Sequence, residues 1–163
     1  MDMPVALRPA TVEDELFLLE VYASTRLEEL DLTQWDQAQR EAFVRMQFNA
    51  QGDHYQINFP EAEHQVILFN SDRVGRLYIA RLEAAIRILD ITILPEHRNA
   101  GIGTSILTEI LKESEETAKP VHIYVESFNP SLRLFERLGF RQVDASDYNL
   151  LMEWNRVVLS AES

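Results

Sequence analysis

The segment Arg98-Asn99-Ala100-Gly101-Ile102-Gly103-Thr104 is the part of this chain best suited to bind a ligand through its backbone. Two glycines one residue apart let the main chain approach a ligand closely and take angles that a Cβ resists. Before the segment, the aliphatic run 86–94, closed by Pro95, reads as a strand. After it, Ile102, Ile106, Leu107, Ile110 and Leu111 recur at helical spacing, opposite Thr108, Glu109, Lys112, Glu113 and Glu116. A strand, a glycine turn and a helix place the amides of the turn at a helix N-terminus. There they lack internal partners, and the helix dipole favours an anion. A phosphate-bearing ligand is the natural guest. Two familiar phosphate loops do not fit: there is no lysine after the second glycine and no four-residue gap, and position 106, where a dinucleotide fingerprint needs glycine, is Ile.

The elements that position this turn can be read along the chain. Residues 5–8 form a short strand, and Thr11 with Asp14 three residues on opens a helix carrying Leu16, Leu19, Val21 and Tyr22. A second helix is expected at 36–50 from Ala38, Phe43, Met46 and Gln47. After Gly52 the period changes to 2: residues 64–69 and 74–82, joined by Asn70-Ser71-Asp72-Arg73, read as an antiparallel hairpin, and Glu83-Ala84-Ala85 leads tightly into strand 86–94. Residues 121–126 give a further strand. Asn129 then reads as an N-cap with Pro130 at the first helical position, and Gly139 as the C-terminal cap of a short helix. A last strand is expected at 148–154, after the polar Asp144-Ala145-Ser146-Asp147. No repeat, low-complexity tract or flexible linker interrupts residues 1–163, which read as one domain.

The turn and the downstream block together resemble the GNAT superfamily of N-acetyltransferases. The R-x-x-G-x-G pattern stands at Arg98, Gly101 and Gly103, preceded by Ile91-Thr92-Ile93-Leu94-Pro95. The later block is Asn129, a short helix with an aromatic, and Leu138-Gly139-Phe140. The resemblance covers the whole chain, although its specific motifs lie within 91–140. It implies an α+β fold of three layers, α/β/α, with a mixed, mostly antiparallel sheet in the order β-α-α-β-β-β-α-β-α-β, splayed where acetyl-CoA binds. It also implies an acyltransferase that moves an acetyl group from acetyl-CoA to a primary amine of a small molecule or protein. An acetyl-CoA-binding regulatory domain with weak or lost catalysis is the alternative.

Carried over by position, the resemblance gives Ile91 and Ile93 backbone contacts to the pantetheine arm. Arg98, Asn99, Ala100, Gly101, Ile102, Gly103 and Thr104 surround the diphosphate, and Asn129 holds the cofactor from the opposite strand. An aliphatic amine with a pKa of ~10 is protonated at neutral pH, so a base must take its proton. Asp90 and Glu126 are the acids on the motif strands. Asp90 interrupts an aliphatic run, where burial would raise its pKa, or it faces solvent or caps a backbone group. Glu126 closes its strand as a base or as a surface charge. The family's usual tyrosine general acid is replaced by Phe135, leaving Tyr124, Tyr78 and Tyr148 as substitutes or as core aromatics. Acceptor binding falls to the variable N-terminal half, where Trp35, Gln47, Gln51 and Tyr55, with His54, offer a polar and aromatic mixture or simply a helix end packed inward.

Composition narrows the partners. With no cysteine, disulfides, thiolate zinc sites and a cysteine nucleophile are excluded. The four histidines, His54, His64, His97 and His122, have no metal-ligand spacing, so no metal is expected. A net charge of −12 argues against nucleic acid, whose binding relies on clustered Lys and Arg. The acidity reads either as solubility or as a preference for a cationic acceptor. Residues 1–4 carry no basic or apolar leader, and no run approaches the ~20 apolar residues of a membrane span, so the expected location is the cytoplasm, without membrane contact. Dimers are frequent in the family the chain resembles, and a homodimer would pair the last strand across a two-fold axis.

Overall fold

The computed structural model describes residues 4–127, 129–146 and 149–156. Its seven strands are β1 (Val5–Pro9), β2 (Glu63–Phe69), β3 (Asp72–Arg81), β4 (Ile86–Ile93), β5 (Val121–Glu126), β6 (Arg141–Ser146) and β7 (Asn149–Trp154), in the sheet order β1-β2-β3-β4-β5-β7-β6. All neighbours are antiparallel except β4 and β5, which are parallel. The β2–β3 turn has Asn70 and Ser71 at φ 51 and 72, the left-handed pair that a two-residue hairpin of matching twist requires.

Helices cover both faces. On one, α4 (Ile102–Thr117) buries Ile102, Ile106, Leu107, Ile110 and Leu111 against Ile67, Leu77, Ile79, Ile86, Ile88, Val121 and Ile123. Each such side chain contributes about 1.5–3 kcal/mol by leaving water. Beside it lies α5 (Leu132–Arg137), ended by Gly139 at φ 103; Gly139 N–H donates to Glu136 O and Phe140 N–H to Phe135 O, the paired bonds of a Schellman cap. On the other face α1 (Glu15–Ser24) packs Phe17, Leu18 and Val21 against Val66 and Leu94, while its Tyr22 forms a second cluster with Leu30 of α2 (Leu27–Asp31) and Val44 of α3 (Gln37–Asn58). The entry to α1 is locked by Asp14, whose buried carboxylate takes two bonds from Arg8 and one from Arg73, so its pKa lies well below the usual range.

Several expectations are corrected. The second helix does not stop near Ala50: α3 runs through Gly52 to Asn58, starting from an Asp36/Gln39 capping box. Leu16 and Met46 are exposed, while Phe17 and Leu18 take the inward positions in α1. Asn129 is not the N-cap of α5; Ser131 is, and Asn129 Oδ1 accepts its N–H, so Pro130 precedes the helix. Strand β6 was not expected, because all six of its residues are exposed and an edge strand of that kind has no alternation to read. Its presence places β7 between β5 and β6, which removes β7 as a free edge for two-fold pairing.

Two irregularities shape the centre of the sheet. Tyr78 pairs with Asp90 but Ile79 with Ile88, so Leu89 is an extra residue, a β-bulge. Ile86 and Ile88 before it, and Ile91 and Ile93 after it, all pack toward α4, while Asp90 meets Arg76 on the other face. Nearby, β3 and β4 approach so closely at Gly75 that an added Cβ would collide with the Thr92 carbonyl oxygen. Gly75→Ala should therefore destabilise the fold by about 1–3 kcal/mol or more. The check is the urea midpoint, which should fall with an unchanged m-value.

Candidate active site

β4 and β5 are paired only from Ile86↔Val121 to Ile88↔Ile123. Beyond Ile88, the β4 edge formed by residues 89–93 has no strand partner on the β5 side among the described residues. That open edge leads through Pro95 to the turn before α4. There Asn99 and Gly101 take φ 66 and 79, Gly101 is the α4 N-cap, and the amides of residues 99–104 have no acceptor among the described residues. Arg98 is fixed by its Nε, which donates to Ile93 O at 3.2 Å. A Cβ on Gly103 would meet only Leu134 Cδ2 at 3.7 Å, so there this glycine answers no crowding from the protein itself.

A cavity of about 760 Å³ opens beside the splay. Of the residues singled out in the sequence, Gln51, His54, Tyr55, Asp90, Ile91, Tyr124, Glu126, Asn129 and Phe135 line it. Ile93 and residues 98–104 do not; they stand at the end of β4 that leads into α4. Trp35 and Gln47 are not lining residues either. Trp35 packs on Phe43 at 5.0 Å between ring centroids, and the lining from α3 comes from Ala50 and from Gln51, His54 and Tyr55, which were expected on the acceptor side but lie on helix rather than loop.

The chemistry of the cavity is set by a buried ion pair. Arg76, 2% exposed, donates from Nε to Asp90 Oδ2 at 2.6 Å and from Nη2 to Gln51 Oε1. Thr92 Oγ1 donates to the same carboxylate at 3.0 Å. Asp90 is thus half-buried, but beside a guanidinium, rather than alone among aliphatic neighbours as the run around it suggested. Tyr55 donates its hydroxyl to Leu89 O at 3.0 Å, tying α3 to the bulge, and burial pushes its pKa up. Glu126 faces Arg26 at 3.7 Å. Phe135 is buried against Phe140, and among the tyrosines Tyr124 lines the cavity with no hydrogen bond to its hydroxyl among the described residues. Tyr78 is buried between Tyr55 and His64, away from the lining, and Tyr148 lies outside the described residues.

Arg26, Arg76 and Arg87 are cavity residues that sequence reasoning passed over. For Arg76 and Arg87 the signal was present: each is a basic residue between apolar or glycine neighbours within a strand, and Arg76 faces an acid that interrupts the next strand of the same hairpin. Among the described residues no group of His, Asp or Glu could hold a metal ion, and no helix is long and apolar enough to cross a membrane.

Behind the pair, His64 stacks on Tyr78 at 4.4 Å, its Nε2 buried without a hydrogen-bond partner among the described residues. Burial, and then the nearby Arg76, lowers its pKa to about 4. The unfolded chain binds this proton near pH ~6.5 and the folded chain only near 4. Stability should therefore fall as pH drops from 6.5 toward 4, by roughly 2 kcal/mol after allowing for partial exposure. His64→Phe keeps the stack and should flatten that limb in urea titrations run at pH 7, 5.5 and 4.

An open strand edge that runs into a helix N-terminus with unpartnered amides, beside a cavity holding carboxylates, is a site of mixed α/β architecture suited to a ligand with an anionic group at one end of an extended arm. Residues 60–142, half of the chain, match the family model described as an acetyltransferase (GNAT) domain. The chain belongs to the GNAT acetyltransferase family. Among solved structures it is similar to the PaiA N-acetyltransferase of Thermoplasma acidophilum in complex with coenzyme A, at 19% identity and a TM-score of 0.70, covering 94% of this chain and 99% of that one. It is also similar to a GNAT acetyltransferase of Elizabethkingia anophelis with acetyl-CoA bound, at 15% identity and a TM-score of 0.59, covering 93% and 98%. At these identities the likeness is one of fold. An N-alpha-acetyltransferase of Sulfurisphaera tokodaii is 32% identical over 59 residues, which span 34% of this chain and 35% of that relative.

Proposed function

We propose that the protein transfers an acetyl group from acetyl-CoA to a primary amine. The observation that carries this reading is the continuity of the open β4 edge with the free amides before α4. These groups fit the coenzyme: a strand edge suits the amides of a pantetheine arm, and a helix N-terminus with Arg98 beside it suits a diphosphate. The coenzyme supplies an acetyl group activated as a thioester.

The chain's own residues do the rest. Ile91 and Ile93 offer main-chain groups along the open edge, although the Ile93 carbonyl is already engaged by Arg98. Asn99, Ala100, Gly101, Ile102, Gly103 and Thr104 supply amides, and Asn129, whose Oδ1 is committed to Ser131, has its side-chain NH2 left for the coenzyme. Asp90 takes the proton of the acceptor ammonium through water, held in place by Arg76 and Thr92. Glu126, at the far end of the cavity wall, is the other candidate base. Gln51 and Tyr55 shape the acceptor side. Phe135 donates no proton, so solvent or the uncommitted hydroxyl of Tyr124 serves the departing sulfur.

The test is coenzyme A binding by thermal shift, followed by free-thiol release with acetyl-CoA and a panel of amines. Binding with release supports the proposal. Binding without release across the panel favours a coenzyme-sensing domain, to which Phe135 in the usual tyrosine seat points. Absence of binding removes both.

A further inference from the structure

The cavity is short of one negative charge. Its two carboxylates are each committed to an arginine, Asp90 to Arg76 and Glu126 to Arg26, and Arg26 also reaches Glu29 and the Tyr22 hydroxyl. The third cavity arginine, Arg87, has neither an ion pair nor a hydrogen bond among the described residues. It is half-buried, with its guanidinium 4.5 Å from the Tyr124 ring centroid and 5.5 Å from that of Phe59. Aromatic rings hold a guanidinium by its face and leave its N–H groups, which lie in the plane, for another partner. A chain of net charge −12 has thus placed an uncompensated cation in the wall of its cavity.

The coenzyme does not account for it. The free amides and Arg98 stand at the other end of β4, and the six steps from Arg87 to Ile93 span about 20 Å of strand. Arg87 also precedes the point at which β4 and β5 part, and it packs on Phe59 at the C-terminal end of α3, the helix that lines the acceptor side.

We infer that the acceptor is a small amine that also carries a carboxylate, seated on Arg87 between Phe59 and Tyr124. This deepens the acetyl-transfer reading above and rests on it. A carboxylate accepts two parallel N–H bonds from the planar fork, a match that a neutral or purely cationic amine cannot make. The volume, about 760 Å³, is in the range of small-molecule sites. The acidity of the whole chain, which suggested a cationic acceptor, is a property of its outer surface and not of this wall.

The experiment compares matched acceptors that differ only in the carboxylate, such as 4-aminobutyrate with propylamine and lysine with 1,5-diaminopentane, by thiol release in the wild type, Arg87→Gln and Arg87→Lys. The wild type should prefer the carboxylate-bearing member of a pair by about 10- to 100-fold in kcat/KM, the worth of a charge-assisted bond. Arg87→Gln should abolish the preference through KM, with kcat and coenzyme A affinity within about threefold of wild type, and Arg87→Lys should restore part of it. Equal or better turnover of the decarboxylated amine in every pair overturns the inference. So does a preference that survives Arg87→Gln, or a parallel loss of coenzyme A affinity, which would assign Arg87 to the coenzyme. If no acceptor releases thiol, the acetyl-transfer reading has failed, and thermal shift with the same pairs in the presence of coenzyme A decides the seat by itself. Protection by the carboxylate-bearing compounds that disappears in Arg87→Gln upholds it, and its absence overturns it.

Discussion

Gly101→Glu should lower coenzyme A affinity by about 100-fold or more, with the far-ultraviolet spectrum unchanged. Two effects act together. Gly101 sits at φ 79 as the N-cap of α4, a conformation that costs an ordinary residue about 1–2 kcal/mol. The new carboxylate would also stand where the unpartnered amides of the turn gather an anion, turning an attractive field repulsive. Gly101→Asn separates the two: asparagine tolerates positive φ and brings no charge, so its loss should stay under about tenfold. Isothermal titration of coenzyme A reads both. Unchanged affinity in Gly101→Glu would remove the turn from the binding site.

The second large effect concerns Asp90. Replacing it with asparagine leaves the Arg76 guanidinium, 2% exposed, without its counter-charge. Breaking a buried pair in this way costs about 3–5 kcal/mol, so Asp90→Asn should lower stability sharply as well as activity. The double variant Arg76→Met, Asp90→Asn removes the orphaned charge and should regain most of the stability. If Asp90 is the proton acceptor, the double variant stays about 100-fold or more below wild type in kcat despite its recovered fold. A double variant as active as the wild type would move the base to Glu126 or to water.

The motif half of the chain was legible almost residue by residue because its signals are local. The five apolar residues of α4 share one face, Pro95 ends a strand, and Gly139 closes a helix, all within a few residues of the groups they serve. The acceptor side was less legible. Gly52 reads as a breaker, yet α3 continues past it, and Tyr55 in its last turns bonds to Leu89 O, a contact 34 residues away that local propensity does not contain. Likewise Arg76 meets Asp90 only because of the register of the hairpin and its bulge, and β6 is held by hydrogen bonds to β7 rather than by any apolar stripe.

Leu89 has a role that its side chain does not reveal. Counted strictly by twos from Ile88, Asp90 and Thr92 would point into the oily layer under α4, and Ile91 and Ile93 out of it. Accommodating one surplus residue restores the parity, and the same local bend turns the strand away from β5. A chain with Leu89 deleted would keep every later side chain on its present side, yet it would run straight enough to zip along its parallel neighbour. Such a protein would be a more regular sheet with its slot sewn shut.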